Sequence, residues 1–125
     1  MQDFKKLRVW QQAHQFAINA YALPAYLDQP KGWALQNQIL KAAISIPSNI
    51  AEGSGRGSDP DFARFLWYSM GSCNEFESDL LLGRDVKLIP GEIFTRLGNE
   101  LSDVRKSLTR LIQTVESSVS ETRNG

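Results

Sequence analysis

One cysteine and one histidine are all that 125 residues offer of two versatile metal-binding side chains. Cys73 alone can build neither a disulfide framework nor a thiolate metal cage, and it is expected as a small core residue in a reducing compartment. His14 alone, without Glu-x-x-His repeats, excludes a di-iron bundle site. No window approaches the ~18 consecutive apolar residues of a membrane span. The start, "MQDFKKLRVWQQAHQF", has positive charges but no apolar run behind them, so a secretory signal is not expected. A cytoplasmic protein with no membrane contact is the expectation. Excess charge of one sign is missing too. Fourteen basic side chains balance 14 acidic ones, whereas a dedicated nucleic-acid binder carries a basic surplus.

Strands are equally absent, since no segment keeps a period of two. Three short breaks rich in Pro and Gly divide the chain: "DQPKG" (28–32), "GSGRGSDP" (53–60) and "KLIPGE" (87–92). The segments between them read as helices at about 4–27, 33–54, 59–87 and 91–117, with 118–125 as a frayed tail. The last segment spaces Leu97, Leu101, Val104, Leu108, Leu111 and Val115 as a heptad seam. Inward stripes in the others are Val9, Ala13, Phe16, Ala17 and Ala20, then Leu35, Ile39, Ala42, Ile46 and Ile50, then Phe62, Leu66, Ser69, Cys73, Phe76 and Leu80. Four long amphipathic helices on short loops must alternate in direction. The sequence therefore predicts one all-α domain, an antiparallel up-down-up-down four-helix bundle over residues 1–125.

"SIPSNIAEGSGR" (45–56) places a proline inside the second helix. Apolar residues stay on one face before and after Pro47, which predicts a single kinked helix. Ser45, Ser48 and Asn49 are short enough to serve backbone groups loosened by the bend. Gly53 or Gly55 is expected to end the helix in the left-handed conformation. The glycine-rich turn that follows is no nucleotide loop. It lacks the Walker lysine and the preceding strand, it fails G-x-G-x-x-G, and Asp59 and Asp61 would repel a phosphate. Glu52 and Glu75 are the carboxylates a metal or acid–base site would use. They read instead as capping, ion-paired or solvated groups. No catalytic, cofactor-binding or metal-ligating residue is predicted.

The second and third helices carry more apolar surface than one core uses. Leu40, Ile44, Pro47 and Ala51 lie away from the inward stripe of the second, and Trp67, Tyr68, Gly71 and Leu82 away from that of the third. Such outward residues mark a contact surface. The candidate oligomer interface is Leu40, Ile44, Ala51, Trp67, Tyr68 and Leu82. Self-association, a foreign protein partner, and cover by a loop or the first helix stay open at this point. Charge is unevenly spread as well. Residues 1–28 carry three basic against two acidic side chains, 29–57 three against one, 58–88 three against six, and 89–125 five against five. Unlike faces of this kind favour association with each other at least as well as binding to nucleic acid.

Together, "LRVWQQAHQFAINAY", "LQNQILKAA", "SIPSNIAEGSGR" and "DFARFLWYSMGSCNEFESDLLLGRDVKLI" resemble the bacterial proteins encoded in intervening sequences of 23S ribosomal RNA genes. The resemblance covers about residues 4 to 115. It rests on the run from Ser45 to Gly53 and on Gly71, Ser72 and Glu75. It implies a four-helix bundle assembled as a homo-oligomeric ring, with pentamers known, acting as a scaffold or interaction protein without catalytic residues. A related branch, the accessory variability determinant of diversity-generating retroelements, binds nucleic acid through a basic surface and works with a reverse transcriptase. It implies a nucleic-acid-binding accessory role as the alternative. By this likeness the signature residues are Ser45, Pro47, Asn49, Glu52, Gly53, Arg56, Gly71, Ser72 and Glu75. They are expected to shape the kink and the contact between the second and third helices.

Overall fold

The computed structural model describes residues 3–124. A 3₁₀ turn (Phe4–Lys6) leads into α1 (Arg8–Ala20). A single turn, α2 (Pro24–Leu27), and a second 3₁₀ turn (Pro30–Gly32) lead into α3 (Trp33–Ser54). Then come α4 (Asp59–Asp85) and α5 (Gly91–Asn124). No strand occurs among the described residues. Helix α1 packs beside α3 and α5, and α4 packs beside the same two. With short connections this is the up-down-up-down bundle that the sequence predicts.

The first segment is not one helix over 4–27. Asp3 caps the opening turn by accepting from the Lys5 amide at 3.1 Å, and Leu7 is extended before α1 begins. At the other end Pro24 has no N–H to give the Ala20 carbonyl. That carbonyl accepts from Leu23 instead, at 3.0 Å, so the last turn tightens and the chain bends. The bend drives Leu23 and Leu27 fully into the core. The third helix stops at Asp85, short of residue 87, because Lys87 turns left-handed at φ 64°. The amides of Leu88 and Ile89 then close on the Gly83 carbonyl, both at 3.0 Å. At the C-terminus the helix passes 117 and continues to Asn124, since residues 118–124 hold no Pro or Gly to stop it. The Ser118 hydroxyl donates to Asp59 at 2.7 Å, tying this extension to the start of α4. Of the expected frayed tail, Gly125 lies outside the described residues.

The inward stripes of α1, α3 and α4 are all buried. In α5 the heptad seam is buried except at Leu111, which is only partly covered while Ile112 is buried instead. A straight helix drifts ~20° per heptad against a period of 3.5, so the buried position slips by one residue. Phe16 and Phe76 meet edge to face across the bundle, centroids 4.7 Å apart, joining the diagonal pair α1 and α4. Cys73 is fully buried, and burial pushes its thiol up to about 12, so it stays protonated and inert.

Helix α3 runs unbroken through Pro47. Its glycines do not end it in the left-handed way. No described glycine has a positive φ, and Gly55 sits at φ −85°. Gly53 is there for space. A Cβ on it would lie 2.7 Å from the Phe65 Cβ and 3.0 Å from the Phe62 ring. Gly53→Ala must push α4 away and is expected to cost about 1–3 kcal/mol, as overpacking of a tight core does. Chemical denaturation should show a lowered midpoint with the slope unchanged.

Candidate interaction surface

The signature residues gather where α3 crosses α4. The Ser45 and Ser72 hydroxyls are 2.7 Å apart. The Asn49 amide donates to both the Ser45 carbonyl and the Ser45 hydroxyl, each at 2.9 Å. Ser72 donates to the Tyr68 carbonyl at 3.3 Å. A hydroxyl has one proton, so the direction is fixed: Asn49 gives to Ser45, Ser45 to Ser72, and Ser72 to the α4 backbone. One turn along, the buried Ser69 hydroxyl donates to the Ile46 carbonyl at 2.8 Å, directly before Pro47. Thus Ser69 of α4 serves the backbone of α3 beside its proline, and Ser72 accepts from the Ser45 side chain. Ser48, by contrast, is exposed and lines a groove.

Glu52 and Arg56 form an exposed ion pair at 2.6 Å, one helical turn apart. Arg56 also lies over the Phe65 ring at 4.7 Å, with Arg64 on the same ring at 4.9 Å. Arg64 is itself paired with Asp61 at 3.2 Å. Exposed pairs of this kind contribute about 0.2–1 kcal/mol, whereas orphaning a buried hydroxyl partner costs about 1–3 kcal/mol. The serine relay therefore sets the α3–α4 contact, and the ion pair decorates it. Ser58 caps α4, accepting from the Asp61 amide at 3.4 Å. Among the described residues no group of three His, Cys, Asp or Glu side chains could hold a metal, and no helix is long and apolar enough to cross a membrane.

Gly71 and Glu75, the other two signature residues, are exposed on the outer face of α4. A Cβ at Gly71 would meet nothing within 4 Å. A glycine inside a helix costs about 0.5–1 kcal/mol relative to alanine, and no packing within the chain explains it. Beside these residues Trp67, Tyr68 and Leu82 are 52%, 49% and 53% exposed. Trp67 donates to Glu116 of α5 at 2.9 Å, and Tyr68 meets the Phe65 ring at 5.4 Å. Leu82 is left to solvent.

The second apolar face of α3 faces the outer edge of α1. Phe4, Trp10, His14, Ala17, Ile18 and Tyr21 on one side, and Ile44, Pro47, Ser48 and Ala51 on the other, line an open groove of about 410 Å³. Trp10 anchors one wall, held edge-on by Phe4 at 5.0 Å and stacked on His14 at 4.6 Å. Pro47 is buried and Leu40 and Ala51 half-buried, but Ile44 remains 44% exposed. Helix α1 thus covers part of this face and leaves the rest as the groove floor. Sequence reasoning did not find the aromatic wall, because Phe4 reaches Trp10 only through the 3₁₀ turn before α1.

The model of the 23S rRNA-intervening sequence protein family matches residues 5–110. The chain belongs to this family. No curated protein matches it. Among solved structures, it is similar to a protein of unknown function from the S23 ribosomal protein family of Bacteroides thetaiotaomicron. That match has a TM-score of 0.78 and 28% sequence identity, and it covers 83% of this chain and 97% of the other. The family description and this structural relative carry no stated activity.

Asp79 bears on stability beside this family signature. Its Oδ2 is buried without a hydrogen-bond partner. Burial raises its carboxyl above the ordinary range, and the neighbouring Glu75 adds to the shift. The charged form is disfavoured in the folded state, so the native protein gains stability as pH falls through the raised value and loses it as pH rises. Asp79→Asn removes that charge. Its melting temperature is expected to exceed wild type at pH 7, with the gain shrinking toward pH 4, as read by thermal denaturation at both values.

Proposed function

We propose that this member of the 23S rRNA-intervening sequence protein family is a non-enzymatic, cytoplasmic scaffold. It assembles as a ring-like homo-oligomer, in the manner of a pentamer, and presents its surface to a partner. The observation that carries this reading is the unspent apolar surface. Ile44 on the groove floor and Trp67, Tyr68 and Leu82 on α4 are each about half exposed, and clusters of this kind mark interfaces. Ile44 is the informative position, since it lies at the surface of the single chain and outside its core. Ile44→Asp is expected to leave helical content intact by circular dichroism and to abolish assembly at micromolar concentration by light scattering. An unpaired carboxylate in a desolvated contact costs several kcal/mol. A wild-type protein that scatters as a monomer overturns the proposal.

A second reading, a nucleic-acid-binding accessory protein, draws on one observation. Arg56 and Arg64 flank the Phe65 ring at the α3–α4 turn, and arginines beside an aromatic ring suit phosphates and bases. Glu52 and Asp61 neutralise both guanidinium groups, which makes this the weaker reading. Under it, affinity for structured RNA falls steeply from 50 to 200 mM salt. Filter binding at the two concentrations tests this, and absence of binding at the lower one eliminates it.

A further inference from the structure

We propose that copies of this chain join head to tail, the α1–α3 groove of one copy receiving the outer face of α4 from the next. This rests on the oligomeric reading above and assigns its two contacting surfaces. A closed ring of more than two copies needs two different, complementary patches, whereas one self-complementary patch closes at a dimer. The chain has one patch of each shape. The concave one is the groove floored by Ile44. The convex one runs down α4, where Tyr68, Gly71, Glu75, Ser78 and Leu82 are spaced three, four, three and four, the seam of a helix that packs lengthwise on another helix. Small residues at 71 and 78 on that seam allow close approach. Helices α1 and α4 are diagonal in the bundle, so the two patches lie on different parts of its surface.

Charge chooses the second copy as occupant. Lys5 and Lys6 in the turn beside Phe4, and Lys41 one helical turn before Ile44, are exposed around the groove. Glu75 is exposed at the middle of the α4 seam. The basic first half and the acidic α4 region do not neutralise each other inside the chain. Among the described residues, every ion pair lies within α4, within α5, between α4 and α5, or between α3 and the turn that follows it. Within α4, Asp61, Glu77 and Asp85 are already paired; it is Glu75 on the seam, and Lys5, Lys6 and Lys41 by the groove, that are left for a contact between copies.

Two assembly-defective variants decide the matter. Ile44→Asp spoils the groove, and Leu82→Arg spoils the α4 face by placing a cation opposite a basic rim. Gly71→Lys is the companion to Leu82→Arg, because open space at residue 71 leaves the fold of the single chain undisturbed. Each variant alone is expected to weaken assembly at least about a hundredfold by light scattering. Mixed one to one, Ile44→Asp with either α4 variant retains one intact groove and one intact α4 face. The mixture should form a heterodimer within about tenfold of the wild-type contact affinity and stop there. Wild-type-like assembly of both α4 variants, or no heterodimer in the mixtures, overturns the head-to-tail contact while the oligomer itself stands. A monomeric wild type overturns both.

Discussion

The structure depends on how closely α3 and α4 approach at the proline. Pro47 deprives α3 of one backbone donor in its interior, a defect worth roughly 3 kcal/mol in an isolated helix. Beyond it, α4 comes alongside at a distance only glycine permits, with Gly53 lying against the Phe62 and Phe65 side chains. At that distance the Ser69 and Ser72 hydroxyls reach the backbone and side chains of α3. The relay works in one register alone. Sliding α4 by a residue would bury unpaired hydroxyls at about 1–3 kcal/mol each. Polar contacts therefore add to the apolar stripes in fixing the register.

Once that register is set, the outer faces follow. The same α4 that turns Leu66, Cys73, Phe76 and Leu80 inward carries Trp67, Tyr68, Gly71 and Leu82 outward. The same α3 that buries Ile46 and Ile50 leaves Ile44 on the groove floor. The 3₁₀ turn at Phe4–Lys6 completes the groove by setting Phe4 edge-on against Trp10. Local chemistry at the N-terminus, an aspartate capping one short turn, thereby raises a wall for a surface whose floor is formed some 40 residues later.

Much of this was legible. Helical periodicity located the four inward stripes and the surplus apolar residues on the second and third helices, because burial in a bundle repeats every 3.5 to 3.6 residues. The failures have physical causes. Pro24 suits the first turn of a helix as well as it ends one, so the break at residues 21–23 carried no distinct signal. Lys87 adopts the left-handed conformation that the residue type does not announce. Gly53 was read for its dihedral freedom and serves by its lack of a side chain. Polar service around Pro47 was expected from Ser45, Ser48 and Asn49. The donor Ser69 and the acceptor Ser72 come from another helix and could not be paired with it by spacing. The groove escaped for a similar reason, since its two walls are joined only by tertiary contact.

What separates this chain from a bundle optimised for its own stability is where it spends helix-unfriendly residues. Gly53 and Gly83 sit against neighbours that would collide with a methyl group, so their cost is offset by packing. Gly71 has no such neighbour. An unexplained glycine in a helix interior, half-exposed aromatic and aliphatic side chains around it, and an acidic face that pairs with nothing in the basic half of the chain are all features that no contact within the chain explains. Each deviation alone is small. Together they lie along one face of one helix, where a neighbouring copy would bury the apolar residues, use the space above the glycine and neutralise the carboxylate. The apolar recess between α1 and α3 is likewise an open groove, which under the proposed assembly a neighbouring α4 would fill.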